Sequence, residues 1–371
     1  MKLFKILPSY IQYSNTMGIK NLHTLLRKHC PDAYTTQPLT SYRYKKIAID
    51  ASLYMFKYKC AAGDRWISCF VSLLAALRRN EIHIVFVFDN GAPPEKQQER
   101  ENRQSSRQKI EDKAIRIEQD LTEYYNTGHV SEFLRELQDN LTKSVEKKLL
   151  RPLKSETIFN EKLIEAELRK LQNQSISISK QDFDILRNLL DIMNVPIFEA
   201  PEEAEKKSVE LCHGKTLYGV MTEDTDVLTY GCPIFLSSID YHKGTCTELA
   251  IEDILDLLEI TMESFVDLCI MCGTDYNKNI YKIGPEKSYN LIKKYQNIDE
   301  IAKNEPKIDI SCLNHIRVRE LFQTVPDESK IPFCQVPDFK ALDIFLFENN
   351  SKVDVSGLKK SFEQHDLSFE D

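Results

Sequence analysis

Short apolar runs that close on an acid punctuate this chain. KKIAID ends at Asp50, IHIVFVFD ends at Asp89, and LYGVMTEDTD runs into Asp224 and Asp226. Runs rich in β-branched and aromatic residues, without helical spacing, predict buried strands over 46–50 and 82–88. Elsewhere the apolar positions recur at helical spacing. Helices are predicted over 21–27, 66–79 (Phe70, Leu73, Leu74, Leu77), 183–193, 251–258, 262–272 and 287–295. Another helix starts at 202, where Pro201 suits the first turn and the acids complement the helix dipole. A further strand is expected over 233–236. Strands alternating with helices imply an α/β fold with a central, mostly parallel sheet covered on both faces.

Parallel strands end on one edge of a sheet, and ligand sites lie just beyond their carboxyl ends. Acids far apart in sequence therefore converge there. The candidates are Asp50, Asp89, Glu203, Glu205, Asp224, Asp226 and Asp275. Like charges brought together repel and need cations to stay ionised. A donor set of oxygens, with no His or Cys, points to Mg²⁺, with Mn²⁺ as the alternative, rather than zinc. Glu203 and Glu205 are two apart, so on a regular helix they point roughly 200° apart. They can share a metal only at the helix entry; taken alone, the pair reads as ordinary N-terminal charge.

The 371 residues allow one large domain or two modest ones. The formal net charge of −8 is the wrong sign for a polyanion binder. The clustered acids account for most of it, and two divalent ions would offset about four charges. Ten scattered cysteines suggest reduced thiols in a cytosolic or nuclear compartment. Cys269 and Cys272 form a lone C-x-x-C inside the apolar run FVDLCIMC, which reads as core packing ahead of zinc. No apolar run approaches the roughly 18–20 residues of a membrane span, so no membrane association is expected. Lys5 and Pro8 interrupt residues 1–16, which argues against a secretory signal.

Composition shifts after Pro93 and Pro94. From 96 to about 174 the chain is charged and helix-prone. Lys96, Arg100, Arg103 and Arg107 are spaced 4, 3 and 4 apart, one basic stripe on a helix. Starting directly after the Asp89 strand, it would overhang the carboxylates. Over 125–160 the apolar spacing is weaker, and a solvated excursion or disordered linker is the alternative.

Together these residues resemble the flap endonuclease / XPG family of structure-specific 5′ nucleases. The motifs occur in order: MGIKNL (17–22), IAIDAS (47–52), VFD (87–89) with Pro93-Pro94, APEEAE (200–205), TEDTD (222–226), LCIMCGTDY (268–276), IGP (283–285), and PDFKAL (337–342) through LKK (358–360). The resemblance implies a PIN-like 5′-nuclease core with a helical arch insertion and a C-terminal helix-two-turn-helix region. It divides the chain into 1–16 as an extension or upstream start, 17–95 and 182–263 as nuclease regions, 96–181 as the arch, 264–300 as the DNA-binding region and 301–371 as closing helices.

It also implies hydrolysis of a DNA phosphodiester near a junction of single and double strands, with two Mg²⁺ ions per chain about 3.5–4 Å apart. Asp89, Glu203, Glu205 and Asp224 would hold one ion, Asp224, Asp226 and Asp275 the other, and Asp50 would act through a water. Lys96 and Arg103 match the family's basic pair that neutralises the scissile phosphate; a plain surface lysine is the alternative for Lys96. Gly18 would lie near the site and touch substrate. Phe56 falls where the family places a base-stacking aromatic, with burial on an amphipathic helix as the alternative. Arg100 and Arg107 would extend the basic stripe. Gly284 would offer backbone N–H groups to a duplex phosphate, and Lys287, Lys293 and Lys294 would lengthen that contact.

The chain departs from the family in four places. The matching start is Met17, so translation is expected to begin there, with an extension of 16 residues routed away from the active site as the alternative. The insertion is longer than in typical members. Lys282 replaces the first glycine of the usual G-I-G turn. No sliding-clamp-binding tail is recognisable near SFED at 368–371. The start and compact tail resemble members encoded by large DNA viruses, implying a monomer acting on branched or flapped DNA in a host nucleus or viral factory. A 5′→3′ exonuclease, on DNA or RNA, is the alternative, because APPEK (92–96) with Arg103 is also similar to 5′→3′ exoribonucleases. The helix-two-turn-helix region argues against RNA.

Overall fold

A computed structural model describes residues 18–149, 159–241 and 243–366. Residues 1–17, the expected start at Met17 among them, and 367–371 lie outside the described residues. The chain up to Gln97 joins the chain from Ile178 onward in one compact unit; Gln98–Ser177 forms the other.

The first unit is built on seven strands: β1 (Thr35–Pro38), β2 (Lys46–Asp50), β3 (His83–Asp89), β4 (Ile197–Ala200), β5 (Gly219–Met221), β6 (Ile234–Asp240) and β7 (Thr245–Ala250). Their spatial order is β1-β7-β6-β5-β2-β3-β4. The five strands from β6 to β4 run parallel, and β7 and β1 add an antiparallel edge. Pro38, which cannot donate to a ladder, sits on the edge strand β1.

Alternation along the strands divides the core. Val85 and Val87 of β3 face one hydrophobic cluster, and Ile84, Phe86 and Phe88 face the other. The first cluster receives Leu22–His29, Ala204–His213, Ile251–Leu258 and Met262–Cys272; the second receives Ala51–Ala62, Trp66–Arg79, Lys180–Ile192 and Phe339–Glu348. Both faces of the sheet are thus covered.

Residues 51–79 correct the expectation about apolar length. By length and composition Ala51–Arg79 could cross a membrane. It is instead two helices broken at Gly63–Arg65, with Tyr54, Phe70, Leu73 and Leu77 buried in the core.

The second unit contains helices Gln97–Thr127, Glu132–Leu149 and Glu161–Gln174. They share a small core of Ala114, Ile117, Leu121, Leu134, Leu137, Ile164 and Leu171. Leu134 and Leu137 are buried, so the solvated reading of 125–160 fails over its described helical part; three partners collect apolar side chains too sparse to show a strong stripe on one helix.

Candidate active site at the carboxyl rim of the sheet

The strand register sets the site. Asp50 ends β2 opposite Val87, and Asp89 ends β3 opposite Ala200. Asp50 also caps the helix Ala51–Ala62, accepting the Leu53 N–H at 3.0 Å. Asp89 accepts the Ala204 N–H at 2.6 Å. Glu203 is the N-cap residue of Ala204–His213 and Glu205 lies in its first turn, so the pair does sit at a helix entry. After β5 the chain turns tightly: Thr222 Oγ1 accepts the Asp224 N–H at 3.1 Å, and Asp224 Oδ1 accepts the Asp226 N–H at 2.8 Å. Asp275 lies in the loop after Met262–Cys272, pinned where Thr274 Oγ1 donates to Asn277 at 2.6 Å and accepts the Tyr276 N–H at 3.0 Å.

Gly18 packs against this rim with φ at +72°. A Cβ there would stand 2.3 Å from Asp224 Oδ1 and 2.6 Å from Thr225 Oγ1. The next residue, Ile19, donates its N–H to Thr225 Oγ1 at 3.0 Å. Only glycine fits both the left-handed backbone and the approach to the acidic turn.

Lys96 reaches in from the segment after β3. Its ammonium donates to Glu203 Oε1 and lies 3.3 Å from Asp275 Oδ2, with its side chain 15% exposed. Burial opposes its charge, but Glu205, Glu203, Asp275 and Asp226 outweigh burial and hold its pKa well above the ordinary lysine range. The acids feel one another. Burial, then the charge of Asp89, pushes Asp50 up to about 8. Burial followed by Asp50, Asp89 and Asp224 raises Glu205; burial followed by Asp224 and Asp275 raises Asp226. This mutual repulsion is what a bound cation relieves.

As arranged here, no three His, Cys, Asp or Glu side chains among the described residues form a set able to hold one metal ion. Lys96 draws Glu203 and Asp275 toward itself instead. The donors nevertheless fit a hard cation: all seven are carboxylates, and Asp226 Oδ1 is buried without a hydrogen-bond partner. Glu205 feels the charges of Asp50, Asp89, Asp224 and Lys96, and Glu203 bonds Lys96, Tyr230 and Tyr276.

The other predicted residues lie on other elements. Arg100, Arg103 and Arg107 are exposed on Gln97–Thr127 in the second unit, and Arg103 pairs with Glu99 at 3.2 Å. Phe56 is half-buried and belongs to neither hydrophobic cluster of the first unit. Gly284 is the N-cap residue of Pro285–Tyr295 with Lys287 exposed in its first turn. Lys293 and Lys294 lie in the last turn, where Glu259 holds the first at 2.8 Å and Tyr295 the second at 2.7 Å. Lys282 adopts φ +58°, the region glycine favours. Cys269 and Cys272 are buried in the core.

Sequence reasoning missed the tyrosines. Tyr230 follows the short helix begun by Asp226, and Tyr276 follows Asp275. It also missed a buried ion pair, Lys57 Nζ to Glu223 Oε1 at 2.7 Å, beside Asp224. A charged residue inside the apolar run ASLYMFKYK was its one visible signal.

Two family models match the chain, the XPG N-terminal domain over 17–110 and the XPG I-region over 194–275. A probable RAD2-like endonuclease of Invertebrate iridescent virus 3 is 35% identical over 88% of this chain and 92% of its own length. Flap endonuclease 1 of Cryptosporidium parvum is 31% identical over 83% of this chain and 61% of its own. The fold is similar to the catalytic core of Rad2 in complex with DNA substrate, with TM-score 0.59 and 19% identity over 92% of this chain and 97% of that one. The ordered acids, the two matched regions and these relatives lead to one assignment: the chain belongs to the XPG family of nucleases.

Proposed function

We propose that this nuclease is a Mg²⁺-dependent, structure-specific 5′ endonuclease, cutting a DNA phosphodiester beside a junction of single and double strands such as a 5′ flap. The observation that carries the reading is the convergence of acids from separate segments at one rim of the sheet: Glu205, Glu203, Asp275 and Asp226 act on Lys96, and Asp50, Asp89 and Asp224 act on Glu205. The names of its relatives support it: one is a flap endonuclease, and the Rad2 core was solved on DNA.

Asp89, Glu205 and Asp224, with Asp50 behind them, would hold one ion; Asp224, Asp226 and Asp275 would hold the other. The pair would supply activation of a water and neutralisation of the leaving oxygen. The chain's own residues do the rest. Lys96 places a cation where a phosphate approaches. Gly18 leaves Asp224 room to approach the chain's first described segment. The exposed Lys287 and the N–H groups at Gly284 would bind duplex backbone without reading sequence.

One labelled substrate panel with Mg²⁺ tests this: 5′ flap, bubble, nicked duplex, blunt duplex and single-stranded RNA. The expected result is one internal cut near the junction of flap or bubble. Mononucleotides released stepwise from blunt or nicked ends would favour the exonuclease reading, and cleavage of RNA alone would overturn the DNA assignment.

A further inference from the structure

We propose that Tyr230 is a positioning residue: its hydroxyl, with that of Tyr276, orients Glu203 so that this carboxylate anchors Lys96 at the rim. The proposal rests on the nuclease reading above and deepens it.

Glu203 is 6% exposed and both of its oxygens are engaged. Oε1 accepts from Lys96; Oε2 accepts from Tyr276 and, at 3.2 Å, from Tyr230. The two hydroxyls are also 2.9 Å apart. Two phenolic protons serve three contacts, so Tyr230 gives its proton either to the carboxylate or to Tyr276, which passes its own on. Either way Oε2 is occupied and Oε1 is left for the lysine.

The tyrosine rings are buried and rest on one support. Phe322 lies 5.0 Å from the Tyr230 ring and 5.4 Å from that of Tyr276, centre to centre. A phenylalanine would pack there equally well, and a buried hydroxyl is costly unless bonded. The hydroxyls therefore act on Glu203 rather than on packing. Each also comes from a segment that supplies an acid, Asp226 or Asp275, so one network ties Lys96, Glu203 and both acidic turns.

The test is a double-mutant cycle on the full chain with 5′ flap DNA under single turnover. Tyr230→Phe should slow cleavage about tenfold, the effect of losing a hydrogen bond to a charged acceptor. Flap affinity, melting temperature and Ca²⁺ affinity by calorimetry should match wild type. In a Lys96→Ala background Tyr230→Phe should cost nothing further, because its effect runs through the lysine. Glu203→Gln should show the same non-additivity with Lys96→Ala, and gives a second reading should Tyr230→Phe fold poorly. A wild-type rate for Tyr230→Phe, an additive loss in the Lys96→Ala background, or Ca²⁺ binding weakened in step with the rate would overturn the proposal. Wild-type protein that cuts no DNA would instead defeat the nuclease reading on which it stands.

Discussion

Asp89 Oδ1 accepts a 2.6 Å hydrogen bond from the backbone N–H of Ala204, a residue 115 positions further along the chain. The bond joins the end of β3 to the start of Ala204–His213 and sets a carboxylate at the positive end of that helix. Asp89 is thereby tied to the helix entry that carries Glu203 and Glu205. An acid with this double duty separates chemistry from stability in a simple substitution.

Asp89→Asn keeps an acceptor oxygen for the helix and removes the charge. Flap cleavage should fall about a thousandfold or more, while flap binding in Ca²⁺ stays near wild type. Asp89→Ala should lose activity equally and in addition cost about 1 kcal/mol of stability, the usual size of a lost cap. Quenched-flow rates, anisotropy and thermal melts separate the two.

Lys96→Ala should slow cleavage about a hundredfold with little change in DNA affinity. It also strips Glu203 and Asp275 of their shared cation. The variant should therefore melt lower than wild type in EDTA, and Ca²⁺ should raise its melting temperature by more. Equal Ca²⁺ shifts in the two proteins would remove Lys96 from the electrostatics of the rim.

Gly18→Ala places a methyl 2.3 Å from Asp224 Oδ1 at a backbone φ of +72°. The left-handed conformation alone costs roughly 1–2 kcal/mol for a residue with a side chain. The expected outcome is a loss of more than about tenfold in cleavage rate through displacement of Asp224, beyond the stability loss. A rate unchanged from wild type would show that the acidic turn tolerates the shift.

The acid cluster predicts a pH dependence with a definite sign. The folded protein holds Asp50 near 8, above its ordinary value, and Glu205 and Asp226 are raised as well. The folded state thus binds more protons than the unfolded one, and stability falls as pH rises toward 8. Without metal, the melting temperature should drop between pH 7 and pH 8. With saturating Ca²⁺, which replaces protons at the rim, the drop should shrink. Differential scanning fluorimetry at both pH values, with EDTA or Ca²⁺, measures it.

Arg319 holds Asp267 through two bonds of 2.6 Å and Asp299 through a third of 2.8 Å. Asp267, nearly fully buried, also accepts the Ile298 N–H at 2.8 Å. Arg319→Ala should destabilise the protein by about 3 kcal/mol, because it leaves that carboxylate buried without a cation. Phe322 follows closely, so cleavage should also slow through Tyr230 and Tyr276. Urea denaturation and cleavage rates check both.

Part of this architecture was plain in the residue order. β2 and the helix Trp66–Arg79 begin and end where their apolar patterns do. Both are dense in buried side chains, so local pattern and tertiary demand agree. β1 and β7 were missed. TTQP and TCTELA are too polar to announce strands, and they exist because β6 offers β7 an edge and β7 offers one to β1. Tyr230 and Tyr276 carry no local sign of their role. Nothing local says that their hydroxyls meet a glutamate from another segment.

The sequence by itself determined the family, the order of the acids and the strands that carry most of them to one rim. The family follows from the ordered motifs, and the strands from short-range periodicity, because a buried parallel strand can end only where its apolar run ends. Only the tertiary structure decided that Glu203 bonds Lys96, that Gly18 lies against Asp224, and that the tyrosines share a carboxylate with the lysine. A side chain at a helix entry can point several ways at similar local cost. Its direction is chosen by the charges and hydroxyls that distant segments pack around it.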